Sequence, residues 1–306
     1  MKTNKVRGLI AAPFTPMHEN GEINLPVIDK YVDLLLEQGV TSVFVNGTTG
    51  EGTSLTLEER KIIAEKWIEA GKAKLDKVII HVGTANLKDS QELARHAAKA
   101  GADMIGSMPT FFFRPASIEL LVDYLAEIAK VAPDLPLFYY EIPEMTGVKF
   151  DMCHMMELAV QKIPNFGGIK FTSFDLPTFA RCVDKFADKL SLCYGKDEQL
   201  VSALLLGAHA GVGSTYNYSG MIYSRIFKAA KAGNFKEATK DQIFSAKMIG
   251  VMFDEGFDVG VNKAVMQAVT GLPVGPPRLP LAAPSKEKID RIMSRLKEID
   301  FFEKRK

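Results

Sequence analysis

Phe166-Gly167-Gly168-Ile169-Lys170-Phe171 reads as a short buried strand, apolar on both faces, with Lys170 as its only charged residue. Strands of that kind, joined through helices, belong to parallel sheets. Burying an unpaired ammonium is costly, and the usual escape is the neutral amine. A desolvated lysine amine is a nucleophile that forms Schiff bases with carbonyl compounds. The competing reading is a strand-end lysine whose ammonium snorkels into water. The segment alone leaves both open.

Outward from this segment the chain repeats one pattern. Short β-rich runs occur at 8–13, 42–46, 78–83, 102–108, 137–142, 167–171, 191–194 and 211–215. Amphipathic stretches lie between them at 27–37, 57–73, 90–100, 118–131, 152–161, 176–186, 199–206 and 221–232. Val32, Leu35 and Leu36 show the i, i+3, i+4 spacing of one buried helix face. Thr56-Leu57-Glu58-Glu59 has the form of a capping box. Eight βα units in this length predict a (β/α)8 barrel rather than a doubly wound sheet. The absence of GxGxxG after the first run argues against dinucleotide binding. We place the catalytic barrel at 1–233 and a helical extension packed on it at 234–306. The extension carries helices at 235–255, at 261–270 and from Ser285. A rigid proline-rich connector, Gly271-Leu272-Pro273-Val274-Gly275-Pro276-Pro277-Arg278-Leu279-Pro280, separates the last two.

Bulk properties exclude several function classes. The 306 residues carry 38 Lys+Arg against 37 Asp+Glu, so no global field favours nucleic acid or anionic lipid. Cys153, Cys182 and Cys193 form no CxxC pair, which argues for reduced thiols. The five histidines show no HxH or HExxH spacing, so no metal site is expected, and no cofactor is expected either. No run approaches the roughly 18 apolar residues of a membrane span. The N-terminus lacks an apolar signal core, and a cytoplasmic protein is expected. Asn46-Gly47-Thr48 and Asn217-Tyr218-Ser219 match a glycosylation sequon and are read as chance matches.

In a barrel, functional groups gather at the C-terminal ends of strands. Lys170 ends the sixth run, and Tyr139, Tyr140 and Glu141 end the fifth. The second run opens into Gly47-Thr48-Thr49-Gly50-Glu51-Gly52, whose amides and hydroxyls suit a carboxylate, or make an ordinary capped turn. Tyr140 is placed to exchange a proton with a substrate hydroxyl, or is a strand tyrosine with a satisfied hydroxyl. Asp197 and Glu198, after Gly195-Lys196, suit sugar hydroxyls, or start a helix and complement its dipole. Ser214 lies between glycine-rich backbone and the last helix of the repeat.

Gly47-Thr48-Thr49-Gly50-Glu51, Tyr140-Glu141-Ile142-Pro143-Glu144-Met145-Thr146-Gly147 and Gly168-Ile169-Lys170 resemble three signatures of one superfamily. It is that of N-acetylneuraminate lyase and dihydrodipicolinate synthase, class I aldolases that handle pyruvate on a (β/α)8 barrel. Gly195-Lys196-Asp197-Glu198 and Gly211-Val212-Gly213-Ser214-Thr215-Tyr216-Asn217 resemble the N-acetylneuraminate lyase branch. Val45 to Gly52 and Gly275 to Pro280 resemble its animal form. The resemblance implies Lys170 as the Schiff-base residue at C2 and Tyr140 as proton donor and acceptor at the C4 hydroxyl. It implies Thr48 and Thr49 as carboxylate ligands and Thr172 as a substrate contact near the lysine. Gly195, Asp197, Glu198 and Ser214 would bind the hydroxylated tail. The implied reaction is reversible cleavage of N-acetylneuraminate to N-acetylmannosamine and pyruvate. A homotetramer is implied by the resemblance alone.

Two positions depart from the wider pattern. The synthases place an arginine after the tyrosine to grip a second carboxylate, and this chain has Met145, which cannot make a bidentate carboxylate contact. Many bacterial members supply a tyrosine from a neighbouring subunit, in a segment that here is Pro109-Thr110-Phe111-Phe112-Phe113. Phe111 and Phe112 leave the substrate's own carboxylate or a water to complete the proton path. The phenylalanine cluster 111–113 is either an interface patch or core under the barrel rim. Two alternatives stay open: another aldolase of the superfamily, acting on 2-keto-3-deoxy sugar acids or synthase-like, and a sugar-acid sensor without turnover.

Overall fold

The computed structural model describes residues 5–306. Eight parallel strands close into a barrel in sequence order: β1 (Gly8–Ala11), β2 (Ser42–Val45), β3 (Lys77–His81), β4 (Met104–Ser107), β5 (Leu137–Glu141), β6 (Phe166–Phe171), β7 (Ser191–Tyr194) and β8 (Ala210–Gly213). Pairing of β1 with both β2 and β8 completes the circle. All eight expected strands form, and most stop one or two residues earlier than expected. The polar ends leave the ladder and turn into rim loops.

Alternation along the strands explains why both faces are apolar. Ile10, Phe44, Ile79, Phe138 and Cys193 pack together inside the barrel. Their neighbours Leu9, Val43, Val78, Leu137 and Leu192 join the larger layer that also takes in the helices. Lys170 shares the parity of the first set, because Ile169 and Phe171 belong to the second.

A β-bulge decides where Lys170 lands. Leu137 is opposite Phe166, yet Phe138 is opposite Gly168, so Gly167 is an extra residue. Tyr140 therefore comes opposite Lys170. Without the bulge its partner would be Ile169. Gly168 has φ +145°, and a Cβ there would sit 2.0 Å from the Ser191 carbonyl oxygen, so only glycine fits.

The helices follow the expected order. The capping box at Thr56 is made in both directions: Thr56 Oγ1 accepts from the Glu59 amide and Glu59 Oε2 accepts from the Thr56 amide. The last helix of the repeat, Tyr216–Lys231, begins five residues before its expected start and is broken at Ser219 (φ −133°). A short helix, Pro143–Thr146, was not anticipated. Helices Phe235–Asp254, Val259–Thr270 and Lys286–Glu298 bury Met248, Met252, Val265, Met266, Ile292 and Leu296 in the same core layer.

Asn46 and Asn217 are buried and hydrogen-bonded, so neither sequon is presented to solvent. Cys153, Cys182 and Cys193 are buried free thiols. Among the described residues no helix is long and apolar enough to cross a membrane. Of the phenylalanine cluster, only Phe111 packs against the interior set. Phe112 and Phe113 are 78% and 81% exposed, which overturns the core reading for both.

Candidate active site

A cavity of about 190 Å³ opens at the C-terminal end of the barrel. Its walls include all nine residues named from sequence: Thr48, Thr49, Tyr140, Lys170, Thr172, Gly195, Asp197, Glu198 and Ser214. They come from the ends of β2, β5, β6, β7 and β8, and the barrel is what gathers them. Lys170 is only 5% exposed. Its Nζ lies 3.9 Å from the centre of the Tyr140 ring and 4.7 Å from that of Phe44. The snorkelling reading therefore fails: the head group is inside the barrel, against two aromatic faces.

Tyr140 is held on several sides. Its hydroxyl is 3.1 Å from Thr48 Oγ1, and its ring meets Phe44 and His81 edge-on. His81 is buried, and burial together with the nearby Arg60 and Lys170 charges pushes it well below the usual imidazole range. It acts as a neutral spacer behind the tyrosine, fixed by the Asn46 carbonyl and the Met108 amide. Cys193 is the β7 neighbour of Lys170. Burial pushes its thiol up to about 12, so it stays protonated at neutral pH and is no competing nucleophile.

The wall that follows β7 and β8 is acidic and polar. Asp197 is buried, and burial pushes its carboxyl up to about 6 despite two hydrogen bonds from Thr215 to Oδ2. Its second oxygen, Oδ1, and Thr172 Oγ1 are buried with no partner among the described residues. Both belong to residues that line the cavity. Two glycines keep this wall open. A Cβ at Gly213 would fall 2.1 Å from Asp197 Oδ1, and one at Gly195 would fall 2.2 Å from Thr172 Oγ1.

Several contributors were not foreseen. Phe44 underlies the lysine, and Thr215 orients Asp197. Ile249, Phe253 and Phe257 cover one side from the C-terminal region. Phe253 and Phe257 lie four residues apart and Phe253 is exposed, a signal that could have marked a cover. Lys196 bridges the loop after β7 to Glu144 at 2.7 Å, with its ammonium over Phe174. Glu141, by contrast, points behind the barrel wall. It accepts from the Thr172 amide, and burial raises its carboxyl to about 7. Met145 is exposed and lines a neighbouring cavity of about 400 Å³ that shares Thr48 and Ile142 with the first. Among the described residues no group of three or more His, Cys, Asp or Glu is gathered as metal ligands would be.

The dihydrodipicolinate synthetase family profile matches residues 5–299. The chain belongs to this family. It is 48% identical to the N-acetylneuraminate lyase of Mus musculus over 299 residues, covering 97% of this chain and 93% of that one. Among solved structures, N-acetylneuraminate lyase from Aliivibrio salmonicida superposes with a TM-score of 0.92 at 36% identity, covering 98% of both chains. A catalytic lysine mutant of Ruminococcus gnavus sialic acid aldolase superposes with a TM-score of 0.92 at 28% identity, covering 99% of this chain and 98% of that one.

Proposed function

We propose that the protein is a class I aldolase that cleaves N-acetylneuraminate reversibly to N-acetylmannosamine and pyruvate. The observation that carries this reading is the meeting of Lys170, Tyr140 and the Thr48-Thr49 turn in one cavity that Asp197, Glu198 and Ser214 also line. The similarity to N-acetylneuraminate lyases supports it.

In this reading Lys170 Nζ attacks the C2 keto carbon and water leaves, giving a protonated imine. Thr48 and Thr49 hold the adjoining carboxylate and so fix C2 against the lysine, positioning that can supply several kcal/mol of the barrier. Tyr140 takes the C4 hydroxyl proton, the C3–C4 bond breaks into the imine, and the aldehyde product departs. The remaining enamine gains a proton at C3 and is hydrolysed to pyruvate. In the same reading the Thr48 hydroxyl, 3.1 Å from that of Tyr140, passes the Tyr140 proton toward the substrate carboxylate. Thr172, Gly195, Asp197, Glu198 and Ser214 bind the polyhydroxylated tail. Met145 offers no grip for a second carboxylate, which favours this substrate over a dicarboxylate one.

Borohydride reduction in the presence of pyruvate should place one covalent adduct on Lys170. An adduct elsewhere, or none, would sink the reading. Side-by-side cleavage of N-acetylneuraminate and a 2-keto-3-deoxy sugar acid decides between the substrate classes, and pyruvate trapping without cleavage of either would point to a sensor.

The same proposal includes a cytoplasmic homotetramer and a division near residue 233 between the catalytic barrel and its helical extension. Exposed Phe112, Phe113 and Met145 supply an apolar rim of the kind that subunit contacts cover. Light scattering coupled to size exclusion tests the assembly.

A further inference from the structure

Two adjacent residues of helix Val259–Thr270 support two separate parts of the site: Asn262 bonds Ser214 of the cavity wall, and Lys263 bonds Glu51 in the turn that carries the wall residues Thr48 and Thr49. Lys263 Nζ lies 2.9 Å from Glu51 Oε1, with both side chains fully buried, and also donates to the Pro276 carbonyl at 2.9 Å. The other Glu51 oxygen accepts from the Arg278 amide at 2.7 Å. Glu51 closes the turn that bears Thr48 and Thr49: its amide donates to the Thr48 carbonyl and its φ is +56°. Gly52, next to it, is so tightly packed that a Cβ would lie 2.0 Å from the Asn46 carbonyl oxygen. One residue before Lys263, Asn262 Nδ2 donates to Ser214 Oγ at 2.9 Å, while its Oδ1 accepts from the Tyr218 hydroxyl at 2.8 Å.

These bonds have chemical consequences. Donation from Asn262 occupies a lone pair of Ser214, so the Ser214 hydrogen is left to donate into the cavity. A buried ion pair contributes little net stability, because desolvation offsets the attraction, whereas it fixes geometry closely. A non-glycine residue at positive φ persists only where its surroundings hold it.

We infer that helix Val259–Thr270 is a positioning element for substrate binding: Lys263 holds the carboxylate-binding turn through Glu51, and Asn262 sets the donor direction of Ser214. The inference rests on the proposed aldolase reading, since it assigns the two ends of the cleft to the two ends of the substrate. Neither residue touches the cavity, so both act through another side chain.

The test separates the two ends. Glu51→Gln combined with Lys263→Met removes both charges together, which avoids an orphaned buried charge. It is expected to raise the pyruvate concentration for half-maximal borohydride trapping on Lys170 about tenfold, while KM for N-acetylmannosamine at saturating pyruvate stays within about twofold. Asn262→Ala is expected to do the reverse, and it leaves the ion pair intact should the double variant fail to fold. A folded variant with both constants unmoved overturns the inference, as does one in which both rise together, since that is general loosening. Failure of the unsubstituted protein to trap pyruvate would instead sink the aldolase reading itself.

Discussion

Lys170 Nζ sits 3.9 Å from the centre of the Tyr140 ring, because the two residues are direct partners across β5 and β6. The amine and the phenol that the proposed reaction needs are thus held on one rigid pair of strands, each ordered by the ladder of the other. The short reach between them sets what each substitution should do.

Tyr140→Phe keeps the ring that supports Lys170 and removes the hydroxyl bonded to Thr48. Pyruvate trapping on Lys170 should survive, while cleavage of N-acetylneuraminate falls by about 10²–10⁴-fold, the usual range for losing a general acid–base group. Single-turnover cleavage beside the trapping assay checks this. Loss of both together would mean that the hydroxyl is needed for imine formation, and not specifically for the bond-breaking step.

Asp197 should make substrate binding pH-dependent. Its carboxyl, raised to about 6 by burial, is ionised above that value and accepts hydroxyl hydrogens best in that form. KM for N-acetylneuraminate should therefore rise as pH falls below about 6. Asp197→Asn should weaken binding at neutral pH and flatten this dependence. A pH profile of KM for both proteins is the measurement, and an unchanged slope in the variant would count against Asp197 as the titrating group.

Glu141 should shape stability instead. Burial raises its folded-state value to about 7, against about 4.5 for the free side chain. Between those values the folded protein holds a proton that the unfolded chain has lost. Its contribution therefore falls as pH rises through that window, by at most about 1.4 kcal/mol per pH unit. Glu141→Gln, which titrates in neither state, should lose less stability between pH 5 and pH 8 than the unsubstituted protein. Thermal melts at the two pH values decide it.

Gly168→Ala should damage fold and site at once. The added Cβ would meet the Ser191 carbonyl oxygen at 2.0 Å on a backbone at φ +145°. A loss of more than about 2 kcal/mol in denaturant unfolding is expected. Because the bulge at Gly167 sets the pairing of Lys170 with Tyr140, pyruvate trapping should fall as well. A stable variant with normal trapping would show that the bulge is not what orients Lys170.

Much of the barrel was legible in the chain itself. Eight short apolar runs alternating with amphipathic helices left few other architectures, and the polar residues at run ends marked the rim. That reading also brought eight of the nine site residues together in principle, since a barrel puts the C-terminal ends of all its strands on one face, while Thr172 was implied by the family resemblance. The overextended strand ends and the start of helix Tyr216–Lys231 five residues ahead of its expected position have one cause. Local pattern shows which residues are apolar, whereas the point at which a chain leaves the ladder depends on neighbours distant in sequence.

What the sequence alone determined is the periodic information: parallel strands buried on both faces, helices between them, and a lysine, a tyrosine and a pair of threonines at strand ends. The tertiary structure decided register and partnership. A single extra residue at Gly167 chooses whether Lys170 or Ile169 meets Tyr140, and hydrophobic alternation cannot count that residue in advance. Phe44, Asn262 and Lys263 reach the site or its supports from strands and helices far apart in the chain. Lys263 lies 212 residues from its partner Glu51, and only the closed, packed barrel places their charges within a hydrogen bond of each other.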